Sequence, residues 1–461
     1  MRKIILTIGI IILGLSINAQ NDSVYILNLN EAVDYALENN LVIKNSENEI
    51  TKAKWKVWET TAIGLPQVNA SAEYQLMLDI PTQYMPDFIT PAIIGANQYY
   101  FGLVPIAEPV PGEKMPVQFG SKHNMSYGAS VSQLIFSGEY IVGLQAARTY
   151  KMLSEQNYEK AKLELKTTVK QAYYIALIAK QSKEILLINY ENIKTLHEES
   201  QKIVDAGFAS QTSADQMRIL ELTLKNQISS IERQEELAML MLKFQMGMLP
   251  QDSLVLTTNL DELVKNISLE ILGNDFNIGS NMDYQLMNTQ VALAKLNLKR
   301  SMSTTLPTLS GYYSYSQNAQ NDSLIFIDET KQWNPTSVVG IKLSIPIFSS
   351  GQRTAVIQQR KIEYDIATNQ KEMVEQQLNI QYYQAKSNYI NALETLLNQK
   401  ENLDLAEKIF NETQIKFKQG AASSMDLTQN QNQYLQNESA YYQALMQLLN
   451  AQTELEKILN N

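Results

Sequence analysis

The side chains that could carry chemistry are few and scattered. The only two histidines, His123 and His197, stand far apart, and neither sits in a carboxylate pattern of the kind that builds a metal site or a catalytic triad. There is no cysteine, which removes thiolate nucleophiles, disulfides and acylation of an N-terminal cysteine. No glycine-rich loop is spaced to cradle a phosphate. His197 falls at a seam-like position within a long helical stretch, where a packing role is expected. No catalytic residue, metal ligand or cofactor is therefore expected, and the elements that would position such groups become the informative part of the chain.

The first residues address the chain to export. Arg2 and Lys3 precede an apolar run from Ile4 to Leu15 and then Ser16-Ile17-Asn18-Ala19-Gln20, the pattern of a secretory signal peptide spanning 1–19 with cleavage after Ala19. Removing those two cations from 38 leaves 36 Lys and Arg against 48 Asp and Glu, a balance of −12 that argues against a nucleic-acid partner. Beyond the leader no run of eighteen apolar residues occurs, so membrane insertion would have to use strands.

The chain then reads as a tandem duplication. Phe136-Ser137-Gly138 returns as Phe348-Ser349-Ser350-Gly351, and Ala206-Gly207-Phe208-Ala209-Ser210 returns as Gln419-Gly420-Ala421-Ala422-Ser423. The first repeat is placed at 20–255, with a lead-in helix from Asn30 to Thr60, a hairpin over 66–137, a long helix over 138–206 and a shorter one over 213–247. A connecting segment fills 256–281. The second repeat covers 282–461, with a lead-in helix to Ser303, a hairpin over 307–348 and helices over 351–418 and 425–459.

Alternation identifies the strands. Val68, Ala70, Ala72, Tyr74, Leu76 and Leu78 alternate with largely polar residues after Pro66. The same holds for Met125, Tyr127, Ala129, Val131 and Ile135, for Leu309, Gly311, Tyr313 and Tyr315, and for Val339, Ile341, Leu343, Ile345 and Ile347. Strands of this length suit a tilted crossing of a bilayer, with one face on lipid and one on a water-filled lumen. A soluble sheet with one buried face gives the same alternation. If the strands lie in lipid, four cannot close a barrel, and further copies must complete it. Pro81 to His123, with seven of the twelve prolines, reads as a long surface loop, and Gln317 to Asn334 as a shorter one.

The long helices have seams in 4-3 spacing. Leu165, Val169, Ala172, Ala176 and Ala179 form one, and the other runs through Leu378, Tyr382, Ala385, Tyr389, Ala392, Leu396, Leu403, Ala406, Phe410 and Phe417. A periplasmic structural coiled coil, or an enzyme on a helical scaffold, would fit the helices alone.

Taken in order, Leu27-Asn28-Leu29-Asn30-Glu31-Ala32, Leu65-Pro66, Gln133-Leu134-Ile135-Phe136-Ser137-Gly138, Ala206-Gly207, Pro346-Ile347-Phe348 and Gly420 resemble the landmarks of TolC-like outer-membrane efflux proteins, over essentially the whole mature chain. The resemblance implies a mixed α+β membrane protein in the outer membrane. Four transmembrane strands per subunit would form a twelve-stranded barrel in a homotrimer, continuing into a periplasmic α-helical coiled-coil barrel. It implies passive conduction for efflux or type I secretion, with an adaptor protein and an inner-membrane transporter as partners. The family's lumen-facing acidic position maps onto Asp426, and the next one onto Gln429, so a doubled acidic ring is not expected. Asp426 at a helix start also suits an N-terminal cap. The turns bearing Gly207 and Gly420, flanked by Lys202, Lys416 and Lys418, are the expected adaptor-docking tips, although lysines there also complement helix dipoles.

Overall fold

The computed structural model describes residues 24–87, 89–102, 114–265, 267, 269–273, 275–324 and 333–459. The expected signal peptide, 1–19, lies outside the described residues. The chain divides into two compact units.

The first unit comprises the described residues of Met1–Ala53, Lys151–Val291 and Ile366–Asn461. Strand β1 (Val24–Leu27) leads into helix α1 (Leu29–Asn39), where the Asn28 side chain accepts from the Glu31 amide at 3.0 Å and Glu31 accepts from the Asn28 amide at 2.8 Å. This reciprocal pair satisfies two of the amides that every helix start leaves free. The single lead-in helix expected over 30–60 is broken. Asn40 is extended (φ −65°, ψ 133°), its Oδ1 capping the Val42 amide at 2.7 Å and its Nδ2 donating to the Gln245 carbonyl at 2.7 Å. A second helix, α2 (Leu41–Ala62), starts from there.

Helix α4 (Gly138–Asp205) runs 68 residues, roughly 100 Å at the usual rise, and α8 (Gln352–Lys418) runs 67. Neither contains a proline, so nothing in them interrupts the hydrogen-bond ladder. Helices α5 (Gln211–Met246) and α9 (Ser424–Leu459) return from their ends. The 4-3 seam residues form the core: Leu165, Val169, Ala176, Leu378, Tyr382, Ala385, Tyr389, Ala392 and Leu396 are buried, together with Leu242, Leu445 and Leu448. Each such leucine contributes about 1.5–3 kcal/mol by leaving water.

A parallel pair, β1 with β6 (Ser253–Leu256), was too short to register in the alternation. It is pinned by Tyr173, fully buried, whose hydroxyl donates to the Leu27 carbonyl at 3.1 Å and lies 2.8 Å from Thr258 Oγ1. Helix α6 (Leu260–Lys265) follows within the connecting segment. Helix α7 begins in this unit at Met282 and ends at Ser303.

The second unit, Lys54–Tyr150 and Ala292–Asp365, holds an antiparallel four-stranded sheet. Its order is β2 (Gln67–Leu76), β5 (His123–Ser137), β7 (Thr308–Asn321) and β8 (Asn334–Ser344). Strand β8 stops at Ser344, short of the Ile347 expected from alternation, because Pro346 has no N–H to continue a ladder. Leu78 likewise falls past the end of β2. The segment read as a plain surface loop between β2 and β5 contains a hairpin, β3 (Thr82–Pro86) with β4 (Lys114–Gln118), and helix α3 (Ile89–Phe101).

Candidate functional site

The sheet of the second unit has two chemically distinct faces, and its register shows how they arise. Val68, Val131, Tyr313 and Val339 stand directly opposite one another across all four strands, and Phe136, Leu309 and Leu343 form a parallel row. A register shift between Leu134 and Phe136 brings Phe136, rather than Ile135, opposite Leu309. The other face carries Ser71, Gly128, Ser316 and Thr336 in one row and Glu73, Ser126, Asn318 and Asn334 in the next. The apolar rows are uncovered, with Val68 at 70% and Val339 at 82% exposure. Both outer strands, β2 and β8, have a partner on one side only. Glycines allow close packing: an added Cβ at Gly340 would lie 2.6 Å from the Tyr312 ring, and one at Gly128 would lie 2.4 Å from the Tyr315 carbonyl oxygen.

In the first unit, both long helices end in the same motif. Phe208 N donates to Ile203 O (3.0 Å) and Gly207 N to Val204 O (2.9 Å), while Ala421 N donates to Lys416 O (2.8 Å) and Gly420 N to Phe417 O (3.0 Å). The closing glycine has positive φ in each, +83° at Gly207 and +73° at Gly420, a backbone that side-chain-bearing residues adopt at a cost. Lys202, Lys416, Lys418 and Phe208 are exposed around the turns, Phe208 by 88%. Ser424, the first residue of α9, donates to Gln216 Oε1 of α5, which ties the two turns together.

Asp426 is exposed in the first turn of α9, and Gln429 is exposed one turn on. Asp426 Oδ2 accepts from Ser423 Oγ at 2.6 Å and from Ser423 N at 3.0 Å, and Asp426 N donates back to Ser423 Oγ at 3.1 Å. The side-chain bond and then the backbone bond hold the carboxyl below its ordinary range, so it is ionised at neutral pH.

Residues 280–461 match the protein family described as outer membrane efflux protein. Over that stretch the chain is similar to the outer membrane efflux proteins. Over the greater part of its length the chain also shares the fold of known channels of this kind. CusC, whose crystal structures are described in terms of folding and transmembrane channel formation, is 16% identical with a TM-score of 0.69, covering 95% of this chain and 93% of its own. The CmeC outer membrane channel of Campylobacter jejuni is 17% identical with a TM-score of 0.66, covering 94% and 85%. VceC, an outer membrane protein of Vibrio cholerae, is 13% identical with a TM-score of 0.68, covering 94% and 96%. No curated protein sequence matches the chain significantly.

Two polar sites of this efflux-protein fold escaped sequence reasoning. His197 Nδ1 lies 2.8 Å from Oε2 of the buried Glu221, and Arg218 donates to the same oxygen at 3.1 Å. His197 and Glu221 are equally distant in sequence from Ala209, and this symmetry about a helical hairpin was the signal available. The second site surrounds Glu438 of α9, which is buried and accepts a 3.5 Å hydrogen bond from Tyr434. Among the described residues no group of three or more His, Cys, Asp or Glu could hold a metal ion, and no helix is long and apolar enough to cross a membrane.

Proposed function

We propose that the protein is an outer-membrane channel subunit, providing a passive exit duct that an inner-membrane transporter energises through a periplasmic adaptor. The observation that carries this reading is the register of the four-stranded sheet. An uncovered apolar row running Val68-Val131-Tyr313-Val339, backed by a face of Ser, Thr and Asn, suits a wall with lipid on one side and water on the other. Open edges at β2 and β8 are not tolerated in hydrocarbon. Three copies joining β8 to β2 would give twelve strands and no edge, and the long helices would form the periplasmic part of the same homotrimer. The repeated hairpin-and-helix order of the two halves fits a tandem duplication.

In this reading three Asp426 carboxylates narrow the periplasmic end and favour cations, with Gln429 as a neutral second ring. The capping bonds with Ser423 are compatible with that role, because they leave the carboxyl ionised. The turns at Gly207 and Gly420, with Lys202, Lys416 and Lys418, dock the adaptor. The test is the mass of the protein purified from outer membranes in mild detergent, with bilayer conductance of wild type and Asp426→Ala. A cation-preferring trimer whose selectivity falls in the variant supports the assignment. A soluble, non-conducting monomer or dimer would leave a structural coiled coil.

A further inference from the structure

A cavity of about 700 Å³ lies within the helical unit, between α4, α5 and α9. Its size suits a drug-sized molecule. Much of its lining is apolar: Ile175 and Ile178 of α4, Ile231 of α5, and Leu435, Tyr442 and Met446 of α9. The one ionisable carboxyl in the lining is Glu438, which is 93% buried by its 7% exposure.

The surroundings of that carboxyl lack a counter-charge. On its own helix Tyr434 offers a 3.5 Å hydrogen bond. From α8 it feels Glu407, a second acid, while Lys400, whose charge Glu407 feels, is bound to Asp404 at 2.8 Å. The flanking Lys183 of α4 and Glu235 of α5 are bound to one another at 2.5 Å. Among the described residues neither Glu438 nor Glu407 forms an ion pair. A buried carboxylate without a cation is costly, so the group must take up a proton or acquire a positive partner. Burial first, and then repulsion from Glu407, pushes Glu438 up to about 7, against the hydrogen bond from Tyr434 that lowers it.

We infer that this cavity is a binding site for a lipophilic organic cation, its apolar body seated against Ile175, Ile178 and Ile231 and its positive centre paired with Glu438. The carboxylate supplies the missing charge pairing, the apolar side chains take the body of such a molecule, and the neutral serine and glutamine side chains among the lining can meet its polar edges. A metal ion would need several oxygen ligands converging on one point, and only one carboxylate lines this cavity. The inference needs only the cavity and holds independently of conduction through the protein.

The test is titration of the full-length protein in detergent with ethidium, followed by fluorescence anisotropy, with the neutral probe N-phenylnaphthylamine in parallel. Saturable ethidium binding at one site per chain is expected at pH 8. It should weaken at least tenfold in Glu438→Gln and also at pH 5.5, where the wild-type carboxyl holds its proton. The Gln variant should show no such pH dependence. Ile231→Trp, which fills the cavity from α5, should remove binding of both probes. Ethidium binding that is absent, or that persists unchanged in Glu438→Gln or in Ile231→Trp with native circular dichroism, would overturn the proposal.

Discussion

His197 Nδ1 on α4 and Glu221 Oε2 on α5 lie 2.8 Å apart, at equal sequence distance from the turn residue Ala209. Arg218, one turn earlier on α5, shares the same carboxylate oxygen, so one buried acid holds a neighbour on its own helix and His197 across the helical hairpin. Glu221→Ala should leave both without their partner and cost on the order of 1–3 kcal/mol. Proteolysis of the α4–α5 turn is the sensitive readout, and cleavage near Phe208 should quicken. An unchanged digestion rate would show that the pair does not hold the hairpin.

Ser423 and Asp426 cap the start of α9 reciprocally. Ser423→Ala should cost about 1 kcal/mol of helix stability and let the Asp426 pKa rise toward its ordinary value. The sign follows from the depressed pKa: the capping contribution is present at neutral pH and is lost as pH falls through the folded-state value. Cation preference in bilayers should therefore disappear at a higher pH in Ser423→Ala than in wild type. Identical titrations would separate the cap from the pore.

Glu438 shifts the opposite way. Its folded-state value of about 7 lies above the ordinary 4.5, so the folded protein keeps a proton that the unfolded chain releases between those values. Stability should fall as pH rises from about 4.5 to 7 and level off above, by at most ~3 kcal/mol. Glu438→Gln should flatten the dependence of thermal unfolding over that window, while a slope identical to wild type would show that the carboxyl does not titrate there.

The sheet gives a paired prediction. Val131→Lys, in the apolar row, should destabilise the assembled barrel by roughly 2–4 kcal/mol, whereas Ser316→Lys on the opposite face should be tolerated and reduce cation preference. Gly128→Ala should also destabilise by roughly 1–3 kcal/mol, since its Cβ would meet the Tyr315 backbone oxygen. Heat-resistant oligomer on a gel measures all three. Equal tolerance of Val131→Lys and Ser316→Lys would contradict the two-faced assignment.

What could be read from the sequence was what repeats. Alternation through Val68 and Val339, and 4-3 spacing through Leu378 and Leu396, place residues of one kind on one face of an element and so survive into the strands and helices observed. Single-residue events were harder to read. The break at Asn40 depends on a bond to Gln245, far along the chain, and the hairpin β3–β4 pairs short segments separated by nearly thirty residues. The candidate site divides the same way. Gly207, Gly420 and the Ser423–Asp426 cap follow local rules, whereas Glu221 and Glu438 become notable only when separate helices bring His197, or a cavity lining, against them.

Single-channel conductance of the detergent-purified protein, with its mass determined in the same preparation, decides whether this chain makes a trimeric duct through the outer membrane. The expected result is a trimer that conducts cations in preference to anions and loses that preference in Asp426→Ala. A protein that is monomeric or dimeric, or that forms trimers without conductance, would contradict it.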